Sequence, residues 1–212
     1  MTLFDFKLLV YGALVTAGLS VVSISVGLVI GAAVCAASLA GNRWIALAGR
    51  LYVSFFRGVP LLVQLLLIYH LLPTAGIDVP SIVAALVGLS LCTAAYQAEN
   101  LRGGLLNISR GLIEAGQMVG LGRLQIFLRI RLPIAVRLAL PSIVNEAILI
   151  LKASSLVSVV GVADLTRVAQ NIASSNFEPI PTYAAAGLLY LLLNWTLAGG
   201  GYGLDRLLAW RR

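Results

Sequence analysis

The stretch from Leu8 to Asn42, LLVYGALVTAGLSVVSISVGLVIGAAVCAASLAGN, contains no charged side chain. A helix needs about 20 apolar residues to cross a bilayer, so this stretch is long enough for a tilted span. It lacks the basic start and the cleavage site of a signal peptide, and we expect it to be retained. Of the 212 residues, 60% are hydrophobic and 11% charged, whereas a soluble domain has about 25% charged residues. The composition therefore predicts an all-α integral membrane protein.

Further apolar segments follow, separated by turns rich in proline and glycine. The segment from 138 to 161 is interrupted by Glu146 and Lys152, but we count it as a span because the charge distribution requires an odd number. The expected organisation is a single transmembrane domain over residues 1–212 with a long inner loop at about 102–137. The expected spans lie at about 8–40, 51–73, 79–101, 138–161 and 182–204.

The basic residues support five helices with the N-terminus outside and the C-terminus in the cytoplasm. Only Lys7 and Arg167 fall in outer segments, and Lys152 falls within a span. This asymmetry follows the positive-inside rule and explains the net charge of +7 without nucleic-acid binding. The remaining basic residues all fall in inner segments: Arg43, Arg50, Arg57, Arg102, Arg110, Arg123, Arg129, Arg131, Arg137, Arg206, Arg211 and Arg212.

The inner loop has apolar residues at helix-like intervals among arginines and glycines. Periodicity alone favours an amphipathic segment lying on the inner leaflet. Its portion EAGQMVGLGRLQIFLRIRLP, residues 114–133, also resembles the EAA loop of binding-protein-dependent ABC importers. The positions that match the loop pattern are Glu114, Ala115, Gly120, Ile130, Leu132 and Pro133. Gly116 stands where the family has a second alanine.

The resemblance implies that this loop forms a coupling helix seated in a groove of a cytoplasmic ATPase subunit. The residues that it implies for this contact are Arg110, Glu114, Ala115, Gly116, Gly120 and Leu121. The chain has no phosphate-binding motif of the G-x-x-x-x-G-K-[ST] type. We therefore expect no enzyme activity and no cofactor in this chain, with ATP and Mg²⁺ bound by the partner ATPase.

Other motifs are similar to the polar-amino-acid branch of these permeases. They are FRGVPLLVQLLLIY (56–69), AAYQAENLRGG (94–104), LPSIVNEAILILKASSL (140–156) and SNFEP (175–179). Uptake systems for histidine, arginine, lysine and ornithine, or for opines, resemble the chain most. Val59 and Ala153 depart from the motifs and leave the exact substrate open.

This resemblance implies the type I ABC importer permease fold in a bacterial cytoplasmic membrane. The implied partners are two ATPase subunits, a second permease subunit, an extracytoplasmic amino-acid-binding protein and membrane lipid. Alternatives are import of opines, glutamine or glutamate by the same architecture, or a membrane scaffold that transports nothing. A secondary transporter is disfavoured because the chain shows no repeated halves.

Ionisable residues inside spans are expensive and are candidates for function. Glu146, next to Asn145, is the candidate ligand for a cationic substrate, with a structural ion pair as the alternative. Glu99 is a further candidate, although a salt bridge to Arg57 or Arg102 is the favoured interpretation. Gln64 is a candidate residue for the lining of the translocation path, with an interhelical hydrogen bond as its alternative role. Tyr96 and Ser154 complete the candidate substrate site, and the lone His70 and the two cysteines predict no metal site.

Overall fold

The computed structural model describes residues 2–74 and 76–209, and these form helices joined by short connections. Arg211 and Arg212, which the charge distribution assigns to the inner side, lie outside the described residues. A π-helical turn at Phe127–Arg131 precedes α7, and a 3₁₀ helix at Ser154–Val160 follows it. The α-helices are α1 (Leu3–Ser38), α2 (Arg43–Gly58), α3 (Leu61–Thr74), α4 (Ser81–Leu106), α5 (Arg110–Met118), α6 (Arg123–Ile126), α7 (Leu132–Ala153), α8 (Leu165–Asn176) and α9 (Pro179–Ala209).

Four helical segments in the described ranges are long and apolar enough to cross a membrane: α1, α4, the continuous run Arg123–Val160, and α9 as far as Arg206. The pair formed by α2 and α3 passes the same test, with a bend of 104° between its two helices. Counting the bent pair as one span gives five.

The expected second span, 51–73, is therefore not one straight helix. It comprises the second half of α2, a break at Val59 and Pro60, and most of α3. Val59 is extended, with φ −94° and ψ 132°. The cause is Pro60, which has no N–H to continue α2 and which disfavours helical geometry at the residue before it.

α4 is the centre of the bundle and packs against α1, α2, α3 and α7. Small residues allow the close approach of α1. A Cβ at Gly27 would lie 2.6 Å from Thr93 Cβ, and one at Gly31 would lie 2.8 Å from Ala94 O. Close packing through glycine is a usual means of associating helices where lipid removes the hydrophobic driving force.

α8 is a short amphipathic helix within the segment that the sequence assigned to the outer side. It begins at the N-cap Asp164, whose carboxylate accepts hydrogen bonds from the backbone N–H groups of Thr166 and Arg167. Its apolar face, with Leu165, Ala169 and Ile172, packs against α1 and α9. α8 thus connects the 3₁₀ helix to α9 and packs against the bundle.

Candidate functional site

Glu146 lies on the inner face of α7 and is only 8% exposed. Its carboxylate makes no hydrogen bond or ion pair with any residue in the ranges 2–74 and 76–209. A buried carboxylate without a hydrogen bond or ion pair is costly, because only the longer-range attraction of Arg57 opposes the desolvation of its charge. Such a group in a membrane-spanning helix is a candidate binding site for a cation.

Two neighbouring helices bring other polar groups close to Glu146. Arg57 from α2 acts electrostatically on Glu146, and Glu146 acts on Cys92 and Tyr96 of α4. The Arg57 guanidinium carbon lies 5.3 Å from the centre of the Tyr96 ring. The site thus combines a carboxylate, an aromatic ring and a guanidinium from segments far apart in the sequence.

Glu99 lies in an ion-pair cluster near the C-terminal end of α4. Arg102 Nε donates to Glu99 Oε1 at 2.8 Å, and Arg102 Nη2 donates to Glu99 Oε2 at 2.7 Å. Arg57 Nη1 is 3.7 Å from Glu99 Oε2. The salt bridge favoured from the sequence is present, and it involves both arginines. Glu99 is therefore a partner that orients Arg57, and two cations already neutralise it.

Gln64 bridges the break between α2 and α3 and is 3% exposed. Its Nε2 donates to Phe56 O at 2.9 Å and to Val59 O at 2.7 Å. Its Oε1 is buried and has no hydrogen-bond partner in the part of the chain described. The donor side of Gln64 is structural, and only the acceptor oxygen remains available for a ligand.

Two of the candidate residues do not join Glu146. Asn145 is exposed and lines a separate cavity of about 140 Å³ between α7 and α9, with Tyr202 and Asp205. Ser154 is fully buried, and its hydroxyl donates to Leu151 O at 2.7 Å within the helix turn. Neighbouring sequence positions point in different directions on a helix, which explains why the Asn145–Glu146 pair is split.

The sequence did not indicate a site role for Arg57 or Gln97. Gln97 is fully buried, its Oε1 accepts from Asn100 Nδ2 at 3.3 Å, and its Nε2 has no partner in the described structure. The sequence signal for Arg57 is its position at the start of an uncharged run. An arginine that only anchors a helix at the membrane surface shows the same pattern.

The loop residues Arg110, Glu114, Ala115 and Gly116 lie in the short helix α5, and Gly120 and Leu121 follow its end. α5 carries Arg110, Glu114 and Ala115 on its exposed surface, while Gly116 is its only fully buried residue. A Cβ at Gly116 would lie 2.9 Å from Ile130 Cδ1. The glycine that replaces the family alanine therefore allows α5 to rest directly on the π-helical turn.

α5 ends in a Schellman motif. Leu121 N donates to Gly116 O at 3.0 Å and Gly120 N donates to Gln117 O at 2.9 Å, while Gly120 has φ +79°. A left-handed residue at this position favours glycine. Met118 and Val119, just before it, are 89% and 76% exposed. The tip of the loop thus presents apolar side chains beside Glu114 on a rigid support.

Comparisons with known proteins match nearly the whole chain. The family model described as "Binding-protein-dependent transport system inner membrane component" matches residues 9–208. The octopine transport system permease protein of Rhizobium radiobacter is 36% identical over 189 residues, which cover 85% of this chain and 77% of the relative. The glutamine transport system permease protein of Escherichia coli (strain K12) is 37% identical over 194 residues, covering 90% of this chain and 88% of the relative.

Solved structures agree with these sequence matches. A chain of the crystal structure of an amino acid ABC transporter with histidines superposes with a TM-score of 0.89 at 31% identity, covering 94% of both chains. A chain of the inward-facing MetNI methionine ABC transporter has a TM-score of 0.80 at 23% identity, covering 98% of this chain and 99% of that one. The second likeness concerns the fold alone.

Proposed function

We propose a function from the premise that this chain belongs to the family of binding-protein-dependent transport system inner membrane components. It is a membrane-spanning permease subunit of an ABC importer of the amino-acid type, with the type I permease fold. Within that family we infer that its cargo is a cationic amino acid and that Glu146 binds the cationic group. The observation that carries this inference is the buried, unpaired carboxylate of Glu146.

A cationic amino acid has charges opposite to those of Glu146 and Arg57. Its guanidinium or ammonium would form charge-assisted hydrogen bonds with Glu146, which are strong where water is excluded. Arg57, held beside Tyr96 by Glu99, offers a positive charge for the substrate carboxylate. Gln64 Oε1 and Gln97 Nε2 are buried polar atoms without partners in the described chain.

The relatives include permeases for octopine and for glutamine. An opine that carries a guanidinium would use the same carboxylate as arginine. Glutamine is neutral in its side chain and would leave the charge of Glu146 uncompensated. The site therefore favours arginine-like cargo over glutamine.

We further infer that α5 is the coupling helix that binds a cytoplasmic ATPase. ATP and Mg²⁺ would be bound by that subunit, and closure of two such subunits would move α5 and the helices that support it. A second permease subunit and an extracytoplasmic binding protein complete the proposed importer. The N-terminus would lie outside and the C-terminus in the cytoplasm of a bacterial inner membrane, in agreement with the positive-inside rule.

Transport by the complete importer in proteoliposomes tests the role of Glu146. Glu146→Gln keeps the size of the side chain and removes its charge. We expect uptake of labelled arginine to fall at least about tenfold, since a hydrogen bond to a charged group contributes about 1.5–3 kcal/mol. Asp205→Asn, the same change at an exposed acid of α9, should leave uptake near the wild-type rate.

The outcomes of this experiment distinguish a failure of the proposed substrate site from a failure of the proposed importer function. Unchanged arginine uptake by Glu146→Gln would refute the site and leave the importer in place. A wild-type complex that hydrolyses ATP and takes up glutamine but not arginine would refute the cationic cargo. A complex that binds an ATPase but transports no amino acid would support the scaffold alternative.

Co-purification tests the coupling helix. Glu114→Lys reverses the charge at the exposed face of α5, and we expect it to reduce the amount of ATPase that purifies with the permease. Asp205→Lys is the matched control, because it makes the same reversal at the cytoplasmic end of α9, away from the loop. Equal ATPase recovery for both variants would contradict the assignment of α5.

A further inference from the structure

A cavity of about 510 Å³ opens between the ends of three helices on the side assigned to the cytoplasm. Its size is within the roughly 300–1,000 Å³ of sites that hold small molecules. Apart from Arg131 its lining is apolar or weakly polar, with Cys35 from α1, Leu101 and Leu105 from α4, and Phe127 from the π-helical turn. This cavity does not include Glu146 or any other residue of the proposed substrate site.

Arg131 is the charged residue in the cavity wall. Its Nε atom is buried and has no hydrogen-bond partner among the residues that the structure describes. The carboxylate of Glu99, in α4, is already paired with Arg57 and Arg102. A guanidinium nitrogen with no acceptor costs free energy and indicates that an acceptor is supplied from outside the chain.

The π-helical turn positions this guanidinium. Ile126 and Ile130 face Gly116 and carry α5, whereas Phe127 and Arg131, one position further along, face the cavity. π-helical turns are rare and are frequent at functional sites. The same five-residue turn thus supports the coupling helix on one side and presents a cation to an apolar cavity on the other.

The mouth of the cavity faces outward from the bundle. Ala32 and Ala36 of α1 and Leu39, the residue after its end, line the mouth and are exposed. Phe127 and Leu132 on the opposite wall are 37% and 39% exposed. α1 ends at Ser38 and α4 ends at Leu106. The positive-inside rule assigns these ends to the inner side of the membrane, so we place the cavity near the inner membrane surface. An occupant at this level meets hydrocarbon at one end and the headgroup region at the other.

We propose that the cavity binds one anionic phospholipid of the inner leaflet, with its phosphate at Arg131 and an acyl chain along the apolar walls. A guanidinium matches a phosphate in geometry and charge. Basic pockets between membrane helices on the cytoplasmic side are suited to anionic headgroups. The lipid would stabilise the turn that carries α5, and this proposal does not depend on which substrate the chain transports.

Native mass spectrometry of the importer, released from nanodiscs made of equal parts phosphatidylglycerol and phosphatidylcholine, tests the proposal. We expect the wild type to retain phosphatidylglycerol in preference to phosphatidylcholine. Arg131→Gln should lower the retained phosphatidylglycerol about tenfold, as expected for loss of one charge-assisted hydrogen bond. Arg137→Gln, the same change at an exposed arginine of α7, should retain as much as the wild type.

A second variant tests the cavity without altering its charge. Ala36→Phe places a ring in the mouth from an exposed position of α1, so it should fold and still lose the lipid. Retention by Arg131→Gln or Ala36→Phe equal to that of Arg137→Gln would overturn the proposal. So would equal retention of the two lipids by the wild type. Efficient cross-linking of Leu105→Cys to a partner subunit would also overturn it, since the cavity would then be covered by protein.

Discussion

The side-chain amide of Gln64 donates a hydrogen bond to Val59 O at 2.7 Å, across the break between α2 and α3. The same Nε2 atom donates to Phe56 O at 2.9 Å. In a continuous helix Phe56 O would accept from the N–H of residue 60, but residue 60 is proline and has none. Gln64 therefore supplies the donor that the proline removes, and it does so where lipid or a dry interior replaces water.

Replacing Gln64 by leucine should destabilise the permease. Leucine has a similar volume but no donor, so the half-buried Val59 O would lose its side-chain donor and Phe56 O would keep only the weak contact from Cys92 Sγ at 4.0 Å. Each unsatisfied group costs about 1–3 kcal/mol. Thermal unfolding followed with a thiol-reactive dye measures this change, because Cys35 and Cys92 are only 3% and 5% exposed in the folded chain. Gln117→Leu, at an exposed position of α5, is the control, and an equal midpoint for the two variants would contradict this role of Gln64.

Gly104 marks the closest approach of α4 to α7. A Cβ at this position would lie 2.5 Å from Ala135 O, a backbone atom that cannot move without shifting α7. Gly104→Ala should therefore separate the two helices, lower the unfolding temperature and weaken binding of the ATPase, since α7 continues the segment that supports α5.

The adjacent glycine of α4 provides the control for this prediction. A Cβ at Gly103 would meet no neighbouring element of the described chain within 4 Å. Gly103→Ala should be neutral or stabilise α4 by up to about 1 kcal/mol, because alanine is the better helix former. Similar unfolding temperatures for the Gly103 and Gly104 variants would show that the α4–α7 contact at Gly104 does not limit the stability of the permease.

Asp164 forms a buried polar cluster at the start of α8. It is 1% exposed, and Tyr190 OH lies 3.3 Å from its Oδ2, with Thr166 Oγ1 at 2.8 Å from the same hydroxyl. Burial raises the pKa of the Asp164 carboxyl above its ordinary value of 3.8, although its hydrogen bonds from Arg167, Thr166 and Tyr190 oppose the shift. The folded chain therefore favours the protonated form relative to the unfolded chain.

This shift predicts a pH dependence of stability. The contribution of Asp164 is fully present below about pH 3.8 and is lost as the pH rises through the elevated pKa of the folded state. Asp164→Asn keeps one of the two oxygens that accept the N-cap hydrogen bonds, for example the bond from Arg167 N, and it cannot ionise. The unfolding temperature of the variant, relative to that of the wild type, should increase as the pH rises from about 4 to about 7. A constant difference over that range would contradict the raised pKa.

The sequence by itself determined the environment, the fold class and the inner loop of this protein. Uncharged runs such as Leu8–Asn42 require lipid, because one core cannot bury so much apolar surface. The spacing from Glu114 to Pro133 identified the loop, and the family match and the superposed transporter chains agree with the permease fold. These properties are local, so the order of residue types along the chain is sufficient to reveal them.

Only the tertiary structure decided which polar groups meet. Arg57, Tyr96 and Glu146 belong to three helices. The sequence placed Tyr96 and Glu146 in one candidate site, but the proximity of Arg57 to both of them depends on the fold. Glu99 is neutralised by two arginines while Glu146 is left without a partner in the described chain, a difference that two intramembrane glutamates do not show in sequence. The separation of Asn145 from Glu146 and the cavity at Arg131 have the same origin. Each depends on the rotation and crossing of packed helices, which distant residues set together.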